Sequence, residues 1–364
     1  MPGPGPIVGP VGQALERGIG YTAYGDHFGH ACGFEVVLAD GQVLRTGNGS
    51  IPGNRTFQTT RYGYGPYLDG IVSQSNFGVV TKMGLWLMPR PQVYKPFMVV
   101  FQNHDDVEQA VNICQKLKLH NVIKNTPIVG HILYQIAQRE RRAEVFHGAG
   151  SITDEWVSEY ASKNRMGVWA IPAALNGSEA QVSADWSLVK EAFRGSGGMI
   201  LTDLLLHEDN GWQHAKRQMA GELDLDEFAL YNWRGGGGSV WFGVTAPAKG
   251  SEAKRIVSMA KGIMNEFGID FLGGFMVQAR EMTAVFDLLY DRNDPAEMAK
   301  AHACYQKLLT EFGKIGIGVY RTNIGFMDQA AALQGEVRMD VNRRIKQALD
   351  PNGIIAPGKS GIRI

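Results

Sequence analysis

The two ends of the chain and its middle differ in texture, and the difference constrains the architecture more than any motif does. Residues 7–92 and 317–364 are punctuated by glycine–aromatic loops, among them Gly18-Ile19-Gly20-Tyr21, Tyr62-Gly63-Tyr64-Gly65 and Gly316-Ile317-Gly318-Val319. Between them, short apolar runs alternate with helical periodicity. Residues 97–101, 165–171, 198–202, 239–244 and 270–278 read as strands. Val107, Ala110, Val111, Cys114 and Leu117 share one helix face. Residues 178–193 form a second helix, and Ile256, Met259, Ala260, Ile263 and Phe267 mark a third. Asp294-Pro295 opens another as cap and first residue. Its core face is expected to hold Met298, Ala301, His302, Tyr305, Leu308, Leu309 and Phe312, with His302 as a core histidine. A final helix carries Val337, Val341, Ile345 and Ala348 on one side. One domain interrupted by another accounts for both textures. Residues 1–92 and 317–364 then form the split domain. Residues 93–316 form an inserted α+β domain, an antiparallel sheet covered by helices.

Within the first segment, residues 34–38 and 42–46 flank Asp40-Gly41, a dipeptide suited to a primed hairpin turn. Residues 83–88 read as a strand that Pro89 and Pro91 stop.

Four consecutive glycines, Gly235–Gly238, follow Glu227 and Tyr231 and precede a strand. Glycines cannot fill a core and lose much entropy on ordering. Either the stretch is a flexible surface loop, or it lets something large approach the backbone. It lacks the lysine of a phosphate-binding P-loop. Tyr320 and Arg321 are adjacent at the start of a non-helical stretch. They are either a packed tyrosine beside a surface arginine, or a phenol and a guanidinium placed to stabilise a developing anion.

Composition narrows the function. Lys+Arg and Asp+Glu are both 36, so net charge is zero and no basic stripe suggests nucleic acid. Cys32, Cys114 and Cys304 are too far apart and too few for a disulfide framework or a paired-cysteine metal site. Cys114 and Cys304 lie on apolar helix faces as core residues. The histidines show no ligand spacing, so no metal is expected. No apolar run reaches membrane length. The start, Met1-Pro2-Gly3-Pro4-Gly5-Pro6, has neither the basic region nor the apolar core of a signal peptide. It is expected to be irregular, and the protein to be soluble, in a bacterial periplasm or cytoplasm.

Four runs carry a resemblance over nearly the whole chain: GYTAYGDH (20–27), GPYLDGIVSQSNFGVVTKMGLWLMP (65–89), GVYRTNIGFMDQ (318–329) and LDPNGIIAPGKSG (349–361). Together they resemble the flavoenzymes that oxidise para-substituted phenols, the vanillyl-alcohol oxidase and p-cresol methylhydroxylase flavoprotein family, and most nearly the latter branch. The resemblance implies FAD, a FAD-binding domain split around a cap domain, and oxidation of a 4-alkylphenol through a quinone methide. It implies a covalent flavin anchor at Tyr231, because Ser239 stands where the oxidases carry the anchoring histidine. It assigns Glu227 to positioning or proton transfer, and Tyr320 and Arg321 to the phenolate. Lys359 falls near the same oxygen, and Asp26 and Glu281 are further acids near the flavin. Ser75, Asn76, Gly78 and Val80 fall in the segment lining it. A c-type cytochrome is the implied electron acceptor, with oxygen as the alternative, and a homo-oligomer is expected. Family members carry a pyrophosphate loop and another substrate tyrosine before the point where this chain starts. An N-terminally truncated chain, and with it a catalytically silent fragment, is therefore the other expectation.

Overall fold

The computed structural model describes residues 8–364. The proline–glycine segment 1–6, expected to be irregular, lies outside the described residues. Two sheets organise the chain. The smaller has three antiparallel strands, β1 (Ala31–Val37), β2 (Val43–Arg45) and β3 (Val79–Leu85), in the order β2-β1-β3. Val37 pairs with Val43 across the Asp40-Gly41 turn, where Gly41 has φ +84°. That is a left-handed position that favours glycine. β3 starts and ends earlier than the apolar run at 83–88 suggested. It pairs only as far as Leu85, opposite Ala31, where β1 itself begins.

The larger sheet is built from β4 (Val93–Phe101), β5 (Ile128–His131), β6 (Trp169–Gly177), β7 (Met199–Thr202), β8 (Gly238–Pro247), β9 (Leu272–Val277), β10 (Glu281–Tyr290) and β11 (Val319–Arg321). The order is β11-β8-β10-β9-β5-β6-β4-β7, antiparallel throughout. Strand alternation gives the sheet two unlike faces. Phe97, Val99 and Phe101 of β4 join the main core, while Met98 and Val100 face the other way. Helices α1 (Val107–Leu119), α3 (Glu179–Phe193), α5 (Gly250–Glu266) and α6 (Pro295–Lys314) cover the first face. There Phe242, Phe275, Phe286 and Phe312 are fully buried, each worth roughly 2–3 kcal/mol by transfer out of water. Over β4 and β6 the second face is covered by α4 (Asn210–Ala220) through Trp212 and Met219. A short helix, α2 (Ile132–Ala137), follows β5 directly.

Helix α6 opens as expected, with Asp294 Oδ1 accepting from Ala296 N at 2.8 Å and Pro295 in the first turn. Cys114 and Cys304 are both buried. Two expectations on faces are corrected. Met298 is 45% exposed and His302 is exposed beside Phe326, because Cys304 rather than His302 meets the core. On α7 (Glu336–Leu349), Val337 is 78% exposed, and the buried side chain is Lys346. Lys346 Nζ lies 2.5 Å from Asp350 Oδ2 and donates at 2.8 Å to the carbonyls of Asn76 and Ile355. Periodicity tells which residues share a side, not which side meets a neighbour. Three acceptors match the three donors of a lysine.

Asp350 also accepts from the amides of Ile354 and Ile355, at 3.0 and 2.8 Å. Asn76 Nδ2 donates at 3.0 Å to the carbonyls of Ala356 and Ile362. The C-terminal segment is thus stitched to residues 74–76. Among the described residues no helix is long and apolar enough to cross a membrane.

Candidate active site

Glycines keep the uncovered part of the second sheet face shallow. A Cβ at Gly243 would meet the Tyr320 ring at 2.4 Å, so this glycine lets the tyrosine lie flat against β8. Adjacent strand residues normally point to opposite faces. The register shift between Val319 and Arg321 breaks that alternation, and Tyr320 and Arg321 line the same cleft. A bulge re-aims side chains in this way. The Arg321 guanidinium carbon sits 5.1 Å from the Tyr320 ring centroid. Gln74, held at φ +51°, donates to the Tyr320 carbonyl at 2.7 Å. Burial raises the Tyr320 phenol pKa, and Arg321 opposes the rise.

The same cleft is lined by Asp26, Glu281 and Lys359. Lys359 Nζ is paired with Glu16 at 2.5 Å. Asp26 is exposed, and its Oδ1 accepts from Gly29 N at 2.7 Å, closing a turn. Glu281 is exposed at the start of β10.

Glu227 lies deeper, 8% exposed, on a 3-10 turn spanning Asp226–Asn232. Tyr21 donates to its Oε1 at 3.0 Å, Gln218 to its Oε2 at 3.1 Å, and Tyr134 to Oε1 by a very short bond. Burial first, and then the Glu227 charge, push both phenols well above the ordinary tyrosine range. They stay protonated and serve as donors. Tyr231 follows one turn later, stacked on Phe228, with its phenol oxygen accepting from Trp241 Nε1 at 3.0 Å. Leu230 and Trp233 anchor the turn on either side, the Trp233 indole donating to buried Asp270 at 3.0 Å.

Each glycine of the run also has a local reason. Gly235 and Gly237 have φ +98° and +73° and make the turn into β8. A Cβ at Gly236 would strike Asp291, and one at Gly238 the Tyr290 ring. Backbone conformation thus calls for glycine at 235 and 237, and close neighbours call for it at 236 and 238.

Asp287 was not singled out in the sequence. It faces this region from the centre of β10, fully buried, accepting from Ser239 Oγ at 2.6 Å. Burial pushes its carboxyl up to about 8; the Glu227 charge adds to the rise and the Ser239 hydrogen bond opposes it. A lone acid within residues 282–290, an otherwise largely apolar run, was its visible signal. Tyr134 had none, because its partner is 93 positions away.

Of the segment expected to line a flavin, Val80 belongs to the three-stranded sheet and Gly78 immediately precedes its strand β3; a Cβ at Gly78 would lie 2.5 Å from Val36 Cγ1. Ser75 Oγ and Asn76 Oδ1 are buried without a hydrogen-bond partner among the described residues. Buried polar atoms rarely stay unpaired, so these two have capacity left for a bound polar group. The residues present therefore fit a cofactor such as FAD.

Residues 227–360 match the family described as FAD linked oxidases, C-terminal domain. The chain is 43% identical over 361 residues to the 4-cresol dehydrogenase [hydroxylating] flavoprotein subunit of Pseudomonas putida, covering 99% of this chain and 69% of the relative. The crystal structure of p-cresol methylhydroxylase with substrate bound is similar at a TM-score of 0.96 and 43% identity, covering 98% of this chain and 70% of that one. The 4-ethylphenol oxidase from Gulosibacter chungangensis, in its isoeugenol complex, is similar at 0.93 and 31%, with the same coverage.

Proposed function

The chain belongs to the family of the 4-cresol dehydrogenase flavoprotein subunit, FAD-linked oxidoreductases, and from that premise we propose that it oxidises a 4-alkylphenol at the benzylic carbon. The observation that carries the reading is the bulge in β11, which turns Tyr320 and Arg321 into one cleft beside the Tyr21–Glu227 pair. FAD supplies the two-electron acceptor when bound.

The chain's own residues prepare the phenol. Arg321 and Tyr320 stabilise negative charge on the phenol oxygen, and a phenolate pushes electron density through the ring to its para position, toward the benzylic carbon that must lose hydride. The resulting quinone methide is trapped by water as an alcohol. Glu227, oriented by Tyr21, Tyr134 and Gln218, positions the para side and manages the proton of that water. Tyr231 is the residue we assign as the covalent tether. Ser75, Asn76, Gly78 and Val80 would line the cofactor, and Asp26, Glu281 and Lys359 border its cleft. We also assign the electrons to a c-type cytochrome rather than to oxygen. The higher identity to a flavoprotein subunit, 43% against 31% for the 4-ethylphenol oxidase, supports this choice, as does Ser239.

Charge-assisted hydrogen bonds are worth roughly 1.5–3 kcal/mol. Loss of Arg321 should therefore cost on the order of 10–200-fold in kcat/KM on a 4-alkylphenol. Arg321→Lys should recover only part, because an ammonium cannot reproduce the planar fork. The flavin-loaded parent should strongly prefer the phenol to its O-methyl ether, and the Arg321 variant should lose most of that preference. Equal turnover of phenol and ether by the parent would end the phenolate mechanism.

A further inference from the structure

Beyond Glu227 the second sheet face does not close. A cavity continues along it beneath α4. Gly130, Ala170 and Pro172 form part of its floor, and Gly211, Ala215 and Gln218 its roof. Those roof residues are spaced i, i+4 and i+7 on α4, one stripe of a helix. At 1.5 Å per residue the stripe runs about 10 Å from Gln218, which holds Glu227, to Gly211. A methyl or ethyl group on a phenol does not reach along such a length. The cavity is about 130 Å³, close to the roughly 150 Å³ of an engineered cavity that holds benzene.

One wall residue is polar and unsatisfied. His214 is 5% exposed, and neither ring nitrogen makes an aligned hydrogen bond among the described residues. Its Nδ1 lies 2.8 Å from Asp224 Oδ1, which Arg217 holds at 2.9 Å from the other oxygen. Arg217 also reaches Asp226 at 2.8 Å, so the two acids already share a cation and call for no metal. A neutral ring that turns its N–H at Nδ1 toward the Asp224 carboxylate presents Nε2 as an acceptor. A buried acceptor without a donor is costly, and a ligand hydroxyl would remove that cost.

We propose that the substrate's para substituent passes Glu227 into this cavity, is roughly the size of one ring or a five-carbon chain, and ends in a hydroxyl that His214 accepts. This rests on the phenol-oxidising reading above and names its substrate class. The hydroxyl-bearing chain lies against the glycine floor, with its benzylic carbon left beside Glu227.

The test compares kcat/KM of the flavin-loaded protein on 4-methylphenol, 4-pentylphenol and 4-(4-hydroxybutyl)phenol, the last two being isosteric. Each added methylene should raise kcat/KM about two- to fourfold until the cavity is full. The hydroxyl-ended chain should exceed the pentyl chain by about three- to tenfold. His214→Leu should reverse that last ratio. Ala215→Phe, which fills the roof, should abolish the advantage of pentyl over methyl. A flat or falling series in the parent overturns the proposal without any variant. So does a hydroxybutyl-to-pentyl ratio that His214→Leu leaves unchanged. If Ala215→Phe depresses 4-methylphenol as much as 4-pentylphenol, the phenol ring itself occupies the cavity, and the proposal again fails. Absence of turnover on every 4-alkylphenol would instead defeat the phenol-oxidising reading.

Discussion

Tyr231 and Asp287 face the same small region from two elements, and they differ in what they can be asked. Tyr231→Phe removes the only atom of this side chain able to form an ether to a flavin, and leaves its stacking on Phe228 intact. Flavin should then become extractable by acid precipitation; flavin that stays covalently attached refutes the tether. Asp287 titrates in an accessible range. Its folded pKa of about 8 exceeds the usual unfolded value of about 3.9. Between about pH 4 and pH 8 the unfolded chain has released this proton while the folded one retains it. Each pH unit in that window costs the folded state about 1.4 kcal/mol, at most on the order of 4 kcal/mol by pH 7. Asp287→Asn keeps an acceptor for Ser239 and removes the titration. In urea the variant should be the more stable at pH 7, and the gap should shrink toward nothing near pH 4.

Among the elements, the C-terminal clamp has the most exacting geometry. Asp350 would be raised by burial, but Lys346 and the amides of Ile355 and Ile354 hold it down at about 2. The sign is opposite to that of Asp287. The stabilisation is complete above the unfolded pKa of about 3.9 and is lost as pH falls through 2. Asp350→Asn should be clearly less stable than the parent at pH 6, with the difference closing between pH 4 and pH 2. A constant difference across that range, followed by urea unfolding, would show that Lys346 does not depend on the carboxylate charge. The clamp matters beyond stability because it fixes Asn76, next to Ser75 and Gln74, and Gln74 holds the backbone of Tyr320.

At the scale of the whole molecule, one sheet serves two purposes. Its helix-covered face supplies the core, and its other face supplies the cleft and the cavity. The acceptor assignment belongs to this scale, since it depends on what the assembled protein meets. Flavin-loaded protein turning over a 4-alkylphenol should reduce a c-type cytochrome or a one-electron dye faster than it consumes oxygen. Oxygen uptake matching the phenol consumed would return the protein to the oxidase branch.

The sequence by itself determined the sheet and helix texture, the hairpin at Asp40-Gly41, the cap at Asp294 and the absence of paired cysteines. These rest on local periodicity and turn chemistry. Its motifs also pointed to the flavoenzyme family, because they are read as strings. Only the tertiary structure decided what each side chain meets. The valine side of α7 faces outward and Lys346 faces in, because burial depends on neighbours elsewhere in the chain. Tyr21, Tyr134 and Gln218 converge on Glu227 from three separate segments. The alternation that should part Tyr320 from Arg321 is undone by a bulge that exists only against β8. Local propensity sets an element's type, but a site is made by contacts between residues distant in sequence, and one-dimensional order does not encode their distances.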